Sequence, residues 1–320
     1  MLTEKKCIPS IMYYLALAFV IIVWGLDPVV LNKLFDYYSA TALNVIFTFG
    51  SAVLFLVLSM SKKIKLDKHI LKIVIPISII SSVAMMMQRI GLQYTTPSSY
   101  AFLEHLSCVA TPAAVFMFAK KRPCNSEIVA AIVCLFGCFV FCGTSTAELG
   151  GGIGNVLCAG AGILVGVSTA ATAIFASKID SALFVTIYMW IYFVSSAIGA
   201  IVLNELSIDN VPLEAFRFSF EPLPLILAIS FGLVSIGLCW LCRTFALKGI
   251  NPTTVAVVSP VSAILAGAIS ILMGTDKLTV NFAVGALLIS LATIIPTLWE
   301  IAIKLYNQHC KDSVKKIDEN

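Results

Sequence analysis

The chain is divided into ten apolar runs, most of them about as long as a membrane-spanning helix. A helix needs about 20 apolar residues to cross the hydrocarbon core of a bilayer. Short polar or basic connections separate the runs, so helices adjacent in sequence should pack as antiparallel neighbours. The predicted spans are 11–33, 39–59, 71–93, 97–119, 126–143, 153–177, 181–204, 223–248, 252–273 and 279–303. We therefore predict an all-α integral membrane protein with ten transmembrane helices.

Composition excludes a soluble domain. The 320 residues are 59% hydrophobic and 12% charged, whereas an average soluble domain is about 25% charged. The net charge of +4 does not indicate a nucleic-acid partner, because the lysines lie in the connections between spans. The first run is too long for a cleavable signal peptide and lacks a small-residue cleavage site, so we expect it to stay in the membrane.

The distribution of Lys and Arg predicts the orientation of the chain. With the N-terminus inside, 16 of the 21 Lys and Arg residues lie on the inner side, three lie outside and two lie within spans. Basic residues favour the cytoplasmic side of membrane proteins. We therefore expect a multi-pass protein of the cell (plasma) membrane with both termini in the cytoplasm.

Two turns with similar sequences divide the chain into halves. At an offset of 155 residues, Leu92 aligns with Leu247 and Pro97 with Pro252. We predict a first five-helix repeat over 1–146 and a second over 147–320, which includes a cytoplasmic C-terminal tail. Because five is an odd number, the second repeat would be inverted relative to the first, as in transporters that bind solute between their halves.

Several motifs resemble those of the drug/metabolite transporter superfamily, in its ten-helix EamA-like branch. They are Trp24-Gly25 in the first span, the turns over 91–103 and 247–254, and Gly285-Ala-Leu-Leu in the last span. The resemblance implies the ten-helix fold and a transport role, and it favours export. Two departures from the family pattern are Ser107-Cys108, where Pro usually follows Ser, and the lack of a Gly-Glu pair at the ends of spans four and nine. No substrate is implied.

Five ionisable residues fall within the predicted spans, where charge is costly and usually marks a pathway. They are Asp27, Arg89, Glu104, His105 and Arg243. Asp27 precedes Pro28, which should kink the first helix beside a carboxylate. The alternative is a structural carboxylate near the outer water layer.

Four of these residues are candidates for gating or coupling: Arg89, Glu104, His105 and Arg243. Arg89 and Glu104 have similar predicted depths, so they could form a structural pair or one switched by a proton or the solute. His105 is either a packed side chain or a functional one. Arg243 aligns with Gln88 or Arg89 in the repeat, which favours an opposing gate; the alternative is a side chain that snorkels to cytoplasmic phosphates.

Candidate solute-binding residues combine aromatic rings with carboxylates and polar side chains. An aromatic face beside a carboxylate favours a cation, so an organic cation or a zwitterion is the first solute class expected. Small residues of span six allow either close helix contact or approach to the solute. The predicted set is Trp24, Asp27, Asn44, Tyr100, Glu104, Ser168, Tyr188 and Trp240.

The cysteines show no metal or disulfide framework. Cys134, Cys138 and Cys142 share one helix face, which indicates helix packing more than a metal stripe. No Walker A, zinc-protease or serine-hydrolase motif occurs in the sequence, so we predict neither catalytic residues nor cofactors.

The predicted protein is a secondary transporter of a small metabolite, organic cation, amino acid or drug-like solute, and protons are candidate partners. The alternatives are an uptake permease for a vitamin- or choline-like nutrient and, less favoured, an intramembrane enzyme or a scaffold subunit. Either a monomer or a homodimer fits the sequence.

Overall fold

The computed structural model describes residues 9–61, 67–94, 100, 103–142, 152–205, 207–208, 211–212, 216–273, 279–296 and 298–299. Within these residues the chain forms ten apolar helices, as predicted. They are α1 (Ser10–Leu34), α2 (Ala40–Ser61), α3 (Lys68–Gln93), α4 (Ser107–Ala119), α5 (Asn125–Cys142), α6 (Ile153–Phe175), α7 (Ser181–Glu205), α8 (Pro222–Ala246), α9 (Pro252–Val258 and Val261–Leu272) and α10 (Val280–Pro296).

Seven of these helices are long and apolar enough to cross a membrane, while α4, α5 and α10 are shorter. Large apolar side chains such as Ile22, Ile132 and Ile201 are exposed on the outer faces of the bundle. A soluble protein rarely exposes so much apolar surface. The arrangement is that of a multi-pass membrane protein whose outer faces contact lipid.

Local sequence signals begin and end several helices. Asp67 precedes α3 and its side chain accepts a hydrogen bond from the His69 amide at 3.4 Å. Asn251 precedes α9 in the same way and accepts from the Thr253 amide at 2.9 Å. Asp and Asn are preferred at this position because they satisfy amides that have no partner within the helix. Lys120 ends α4 in the left-handed region, with φ of 54°.

Three helices depart from the continuous spans predicted from hydropathy. In the fourth span, residues 100 and 103–104 are helical, a turn follows at 105–106, and the continuous helix begins at Ser107. α9 is interrupted at Ser259 and Pro260, because proline has no amide to donate and clashes with the preceding turn. Residues Leu233–Leu238 of α8 form a π-helical segment between two α-helical ones. Hydropathy does not distinguish these geometries, since all of them remain apolar.

Helix packing follows a regular pattern across the chain. α2 packs on α7, α4 packs on α9, α3 packs on α6 and α7, and α8 packs on α1 and α2. In addition, α6 packs on α4 and α1 packs on α9. Moved by five helices, α3–α6 gives α8–α1, α3–α7 gives α8–α2 and α4–α6 gives α9–α1, whereas α2–α7 and α4–α9 each give themselves.

Contacts between individual residues give the directions of the paired helices. Asn44 of α2 contacts Tyr192 of α7, while Phe55 contacts Thr186, so these helices are antiparallel. On the other side of the bundle, α1 runs parallel to α9, and α6 runs parallel to α4. α1 and α6 therefore hold corresponding positions in the packing.

The connection between α7 and α8 contains a small hairpin. Strands β1 (Ser207–Ile208) and β2 (Val211–Pro212) pair antiparallel. Further along, the Arg217 guanidinium donates to the Phe35 carbonyl, and the Ser39 amide donates to the Arg217 carbonyl at 2.9 Å. This segment therefore covers the connection between α1 and α2.

Candidate functional site

The contact between α1 and α8 is centred on Ser235. The Trp24 indole donates to the Ser235 carbonyl at 3.1 Å, and the Ser235 hydroxyl donates to the Asp27 carboxylate at 2.5 Å. Trp24 and Asp27 are three residues apart, so both side chains lie on one face of α1. A single residue of α8 thus binds the two α1 residues that the sequence singled out.

The π-helical segment explains how Ser235 makes both contacts. A π-helix has a wider turn than an α-helix, and such segments occur often at functional sites. Glycines allow this widened segment to pack closely on α2: a Cβ at Gly232 would lie 2.7 Å from the Phe47 Cα, and one at Gly237 would lie 2.8 Å from the Ser51 hydroxyl. The segment is held between α1 and α2, with the Ser235 side chain buried and facing Asp27.

An aromatic cluster surrounds Arg243 next to this contact. The Trp24 and Trp240 rings meet edge to face with 6.4 Å between their centres, and the centre of the Tyr188 ring lies 4.6 Å from that of Trp240. The Arg243 guanidinium carbon lies 5.9 Å from the Trp24 ring centre and 5.1 Å from that of Trp240. Cations bind favourably over such rings, so the protein's own arginine occupies the aromatic face that we predicted for a cationic solute.

Arg243 points into the bundle and does not snorkel to the membrane surface. Its side chain is 4% exposed and donates a hydrogen bond to the Thr169 hydroxyl. The snorkelling alternative is therefore wrong for this structure. The reason is physical: two aromatic faces and a hydroxyl replace the water that the guanidinium would otherwise need.

Arg89 is the second buried arginine, and it lies on the α2 and α7 side. Its guanidinium carbon is 5.2 Å from the centre of the Phe47 ring, and the side chain is 7% exposed. It also interacts with Tyr192, whose hydroxyl donates to the Asn44 side-chain carbonyl at 3.2 Å. Tyr192 is one turn after Tyr188 on α7, and Tyr188 interacts electrostatically with Arg243, so the two arginines interact with successive turns of the same helix.

The carboxylates lie in the same region as Arg89. Arg89 and Glu104 are both close enough to interact electrostatically with Asp27, and all three interact with Tyr100. Asp27, Glu104 and Tyr100 lie among these groups yet keep some accessible surface. We infer that they face an internal space between the helices. Whether Arg89 and Glu104 work as a pair stays a prediction.

Two predicted site residues lie apart from this group. The Ser168 hydroxyl donates to the Val165 carbonyl of its own helix at 3.0 Å, and the neighbouring Thr169 makes the contact to Arg243. His105 is buried and interacts electrostatically with Cys134 of α5. Glu104 is the last helical residue before the turn in which His105 lies, so the two side chains point in different directions.

The glycines of α6 serve helix contact. A Cβ at Gly162 would collide with the Leu103 carbonyl oxygen and lie 2.9 Å from that of Glu104. At Gly166 a Cβ would lie 2.6 Å from that of Ala110. Of the two uses we considered for these small residues, the structure therefore shows close helix packing.

The cysteine stripe is also part of the packing. Cys134 and Cys138 are buried with Cys108, and the Cys108 and Cys134 sulfurs are 3.7 Å apart. No group of three or more potential ligands able to hold a metal ion occurs among the described residues. Cys142 has no described side chain.

Sequence reasoning missed three residues of the site: Ser235, Thr169 and Phe47. Ser235 carries no signal in the sequence, because a serine in an apolar helix more often bonds to its own backbone. Thr169 is adjacent to the predicted Ser168, and a shift of one residue rotates a helix position by about 100°. Phe47 follows Asn44 by three residues, so a search for aromatic residues on the face of Asn44 would have found it.

Comparison with known proteins supports the fold and the class. A solved structure described only as "Crystal structure of protein" matches with a TM-score of 0.71 at 14% identity, over 91% of this chain and 98% of that one. At this identity the match shows a shared fold. No curated protein matches the sequence.

The family match identifies the class of membrane protein. Residues 11–143 match the EamA-like transporter family, within the drug/metabolite transporter superfamily, so the resemblance drawn from the turn motifs is confirmed over that stretch. The matched residues form α1 to α5. The ten-helix fold is that of a multi-pass membrane protein, and its first five helices match a transporter family.

Proposed function

We propose that the chain is a secondary transporter that carries a small solute across the plasma membrane by alternating access. The observation that carries this proposal is the meeting of charges from both halves of the chain. Asp27, Arg89 and Glu104 come from the first half, and Arg243 comes from the second. They lie around the contact of α1 with α8, where Asp27 and Glu104 keep accessible surface.

Alternating access needs two units that can move against each other around a central site. We assign these units to residues 1–146 and 147–320 as inverted repeats. Three observations support the assignment: the packing pairs are related by a step of five helices, α1 and α6 hold corresponding positions, and the family match ends at residue 143. Both termini are assigned to the cytoplasm from the distribution of basic residues.

Within this proposal the residues have separate roles. Asp27 and Glu104 face the space that the solute enters, with Tyr100 beside them. Arg89 interacts with Tyr192, and Arg243 interacts electrostatically with Tyr188 one turn earlier on α7, which suits a role in coupling the site to helix movement. His105 belongs to the packing of α4 on α5.

We further propose export driven by proton exchange at Asp27 or Glu104. A carboxylate at membrane depth changes its charge at low cost only when water or a partner reaches it, and Asp27 has both accessible surface and a hydroxyl donor. Transport down the solute gradient alone is the second candidate. It is favoured if Ser235 serves only to hold Asp27 ionised.

The test combines binding and transport with the purified full-length chain. A thermal-shift panel of amino acids, polyamines, choline-like cations, purines and vitamins identifies solutes that raise the melting temperature. Those solutes are then tested by counterflow in proteoliposomes with and without a pH gradient. We expect at least one to be carried, and the pH gradient to accelerate it if protons are exchanged.

Asp27→Asn provides the site-specific part of the test. It keeps the size of the side chain and removes the charge, so we expect counterflow to fall at least about tenfold. Asp36→Asn is the matched control, because Asp36 is an exposed carboxylate in the turn that follows α1. Normal counterflow in Asp27→Asn would remove this carboxylate from the mechanism, and a panel without any transported solute would contradict the transporter proposal.

A further inference from the structure

Several buried polar atoms around the site lack a hydrogen-bond partner among the described residues, and most of them are donors. On the Arg89 side they are Arg89 Nη1 and Asn44 Nδ2. On the Arg243 side they are Arg243 Nε, Trp240 Nε1 and the Tyr188 hydroxyl. Buried polar groups are rarely left unpaired, since each costs about 1–3 kcal/mol. A concentration of donors indicates that an acceptor binds there.

Arg89 and Asn44 converge because both contact Tyr192. The Asn44 carbonyl accepts from the Tyr192 hydroxyl at 3.2 Å, and this contact turns the Asn44 amide nitrogen away from Tyr192. Arg89 interacts with the same hydroxyl. The two unpartnered nitrogens therefore belong to side chains that flank one hydroxyl, with Arg89 7% and Asn44 1% exposed.

The surroundings of Arg89 leave its edge available for a ligand. Phe47 lies against the guanidinium, 5.2 Å from ring centre to carbon, so one face is covered by an apolar ring. Asp27 and Glu104 lower the energetic cost of the buried charge through electrostatics. Neither carboxylate bonds to Nη1, which has no partner. A planar guanidinium held in this way is suited to binding a carboxylate through its edge.

We propose that Arg89 and Asn44 form an anion-accepting subsite that binds the carboxylate of the transported solute. The sequence favoured an organic cation or a zwitterion, with the cationic group on the aromatic rings, whereas Arg243 lies over two of those rings. The inference rests on the proposed transport function, and it specifies the solute as one that carries a carboxylate. The accessible carboxylates of Asp27 and Glu104 lie close by, so an additional amine on the solute leaves the assignment of its carboxylate unchanged.

Binding of matched probes to the full-length protein tests the subsite. Two sets share an apolar body and differ in the charged group: 3-phenylpropionate, phenethylamine and phenylalanine, and 4-methylpentanoate, isoamylamine and leucine. We expect carboxylate-bearing probes to raise the melting temperature of the wild-type protein and the two amines to have no effect. Failure of all the carboxylate-bearing probes at about 10 mM, or stabilisation by the amines alone, overturns the proposal.

Variants test the two residues. We expect Arg89→Gln to weaken carboxylate binding about 10- to 100-fold, because it removes a charge-assisted hydrogen bond. Asn44→Leu should weaken it about tenfold through the loss of one donor. Arg217→Gln is the matched control, since Arg217 is exposed between α7 and α8. Unchanged carboxylate binding in Arg89→Gln overturns the assignment.

A conservative variant separates loss of binding from loss of folding. Arg89→Lys keeps the positive charge and loses the planar edge, so we expect a folded protein with binding intermediate between those of the wild type and Arg89→Gln. Size-exclusion profiles and the melting temperature without probe establish that each variant is folded. Equal carboxylate affinity for the lysine variant and the wild type overturns the claim that the planar edge is used.

The result can be separated from that of the transporter proposal. If counterflow shows that the protein carries only solutes without a carboxylate, the transport function stands and this inference fails. If carboxylates bind in an Arg89-dependent manner and no solute is carried, the subsite stands and the transport function fails.

Discussion

α1 and α6 hold corresponding positions in the packing, yet they contact their neighbours in different ways. α6 packs on α3 and α4 through small residues: Gly162 lies against the Leu103 and Glu104 carbonyl oxygens just before α4, and Gly166 lies against Ala110 of α4. α1 packs on α8 through two large polar contacts, in which Trp24 and Asp27 bind Ser235. Close backbone contact allows little relative movement, whereas hydrogen bonds can change partners.

This difference places the chemistry of the protein on the α1 side. The face of α6 that meets α4 has no room for larger side chains at its glycines, so van der Waals contact fixes α6 and α4 relative to each other. The α1 contact carries a carboxylate, an indole and a π-helical partner. We infer that α6 is the rigid member of the pair and that solute binding and helix movement occur around α1.

The largest effect on stability should come from Gly162→Ala. The added methyl group would collide with the Leu103 carbonyl and lie 2.9 Å from that of Glu104. Because both contacts are backbone atoms, α4 would have to move away, and we expect a loss of about 3 kcal/mol. A lowered melting temperature of the purified protein measures it.

Gly50→Ala is the control for this change. Gly50 lies within α2, and a methyl group there would make its closest contact at 3.6 Å, with Leu233. Alanine is favoured over glycine inside a helix by about 1 kcal/mol, so this variant should be as stable as the wild type or more so. Equal effects of the two substitutions would contradict the view that α6 is fixed by close contact.

Gly25→Ala tests a close contact between α1 and α9 and should have an intermediate effect. The new methyl group would lie 2.9 Å from the Leu265 Cβ and 3.2 Å from the Ser262 carbonyl oxygen of α9. The closer atom belongs to a side chain and the backbone oxygen is farther away than those facing Gly162, so we expect a loss of about 1–2 kcal/mol. If Gly25→Ala is less stable than Gly162→Ala in the same melting experiment, the proposed difference in rigidity is wrong.

The number and order of the helices could be predicted from sequence because a spanning helix needs a long apolar run, and such runs are easily recognised. The turns were predictable for the same kind of reason: Asn251 and Pro252 favour the start of a helix. Local geometry inside a span was not predictable. Neither the π-helical segment at Ser235 nor the turn before Ser107 changes the apolar pattern.

Only some of the residues around the α1–α8 contact could be singled out from the sequence, for one physical reason, and their roles in solute binding or gating stay predictions. Charge at membrane depth is costly, so Asp27, Arg89, Glu104 and Arg243 stood out, and the structure places them around the α1–α8 contact. Their partners, such as Ser235 and Thr169, are uncharged polar side chains that cost little free energy to place in the membrane. They resemble many other serines and threonines in apolar helices. Only the packing of the helices distinguishes these partners.

The smallest effect should come from Trp24→Phe, which tests whether the α1 contact depends on its hydrogen bond. The substitution keeps an aromatic ring and removes the donor to the Ser235 carbonyl, and we expect a loss of about 1 kcal/mol. Trp190→Phe is the matched control, because the Trp190 indole nitrogen has no partner among the described residues, so its removal should cost less. A melting temperature unchanged in Trp24→Phe would mean that ring packing alone holds α1 on α8. In that case the hydrogen bond of Asp27 with Ser235 would be the contact between α1 and α8 that can change partners, and helix movement would depend on this carboxylate alone.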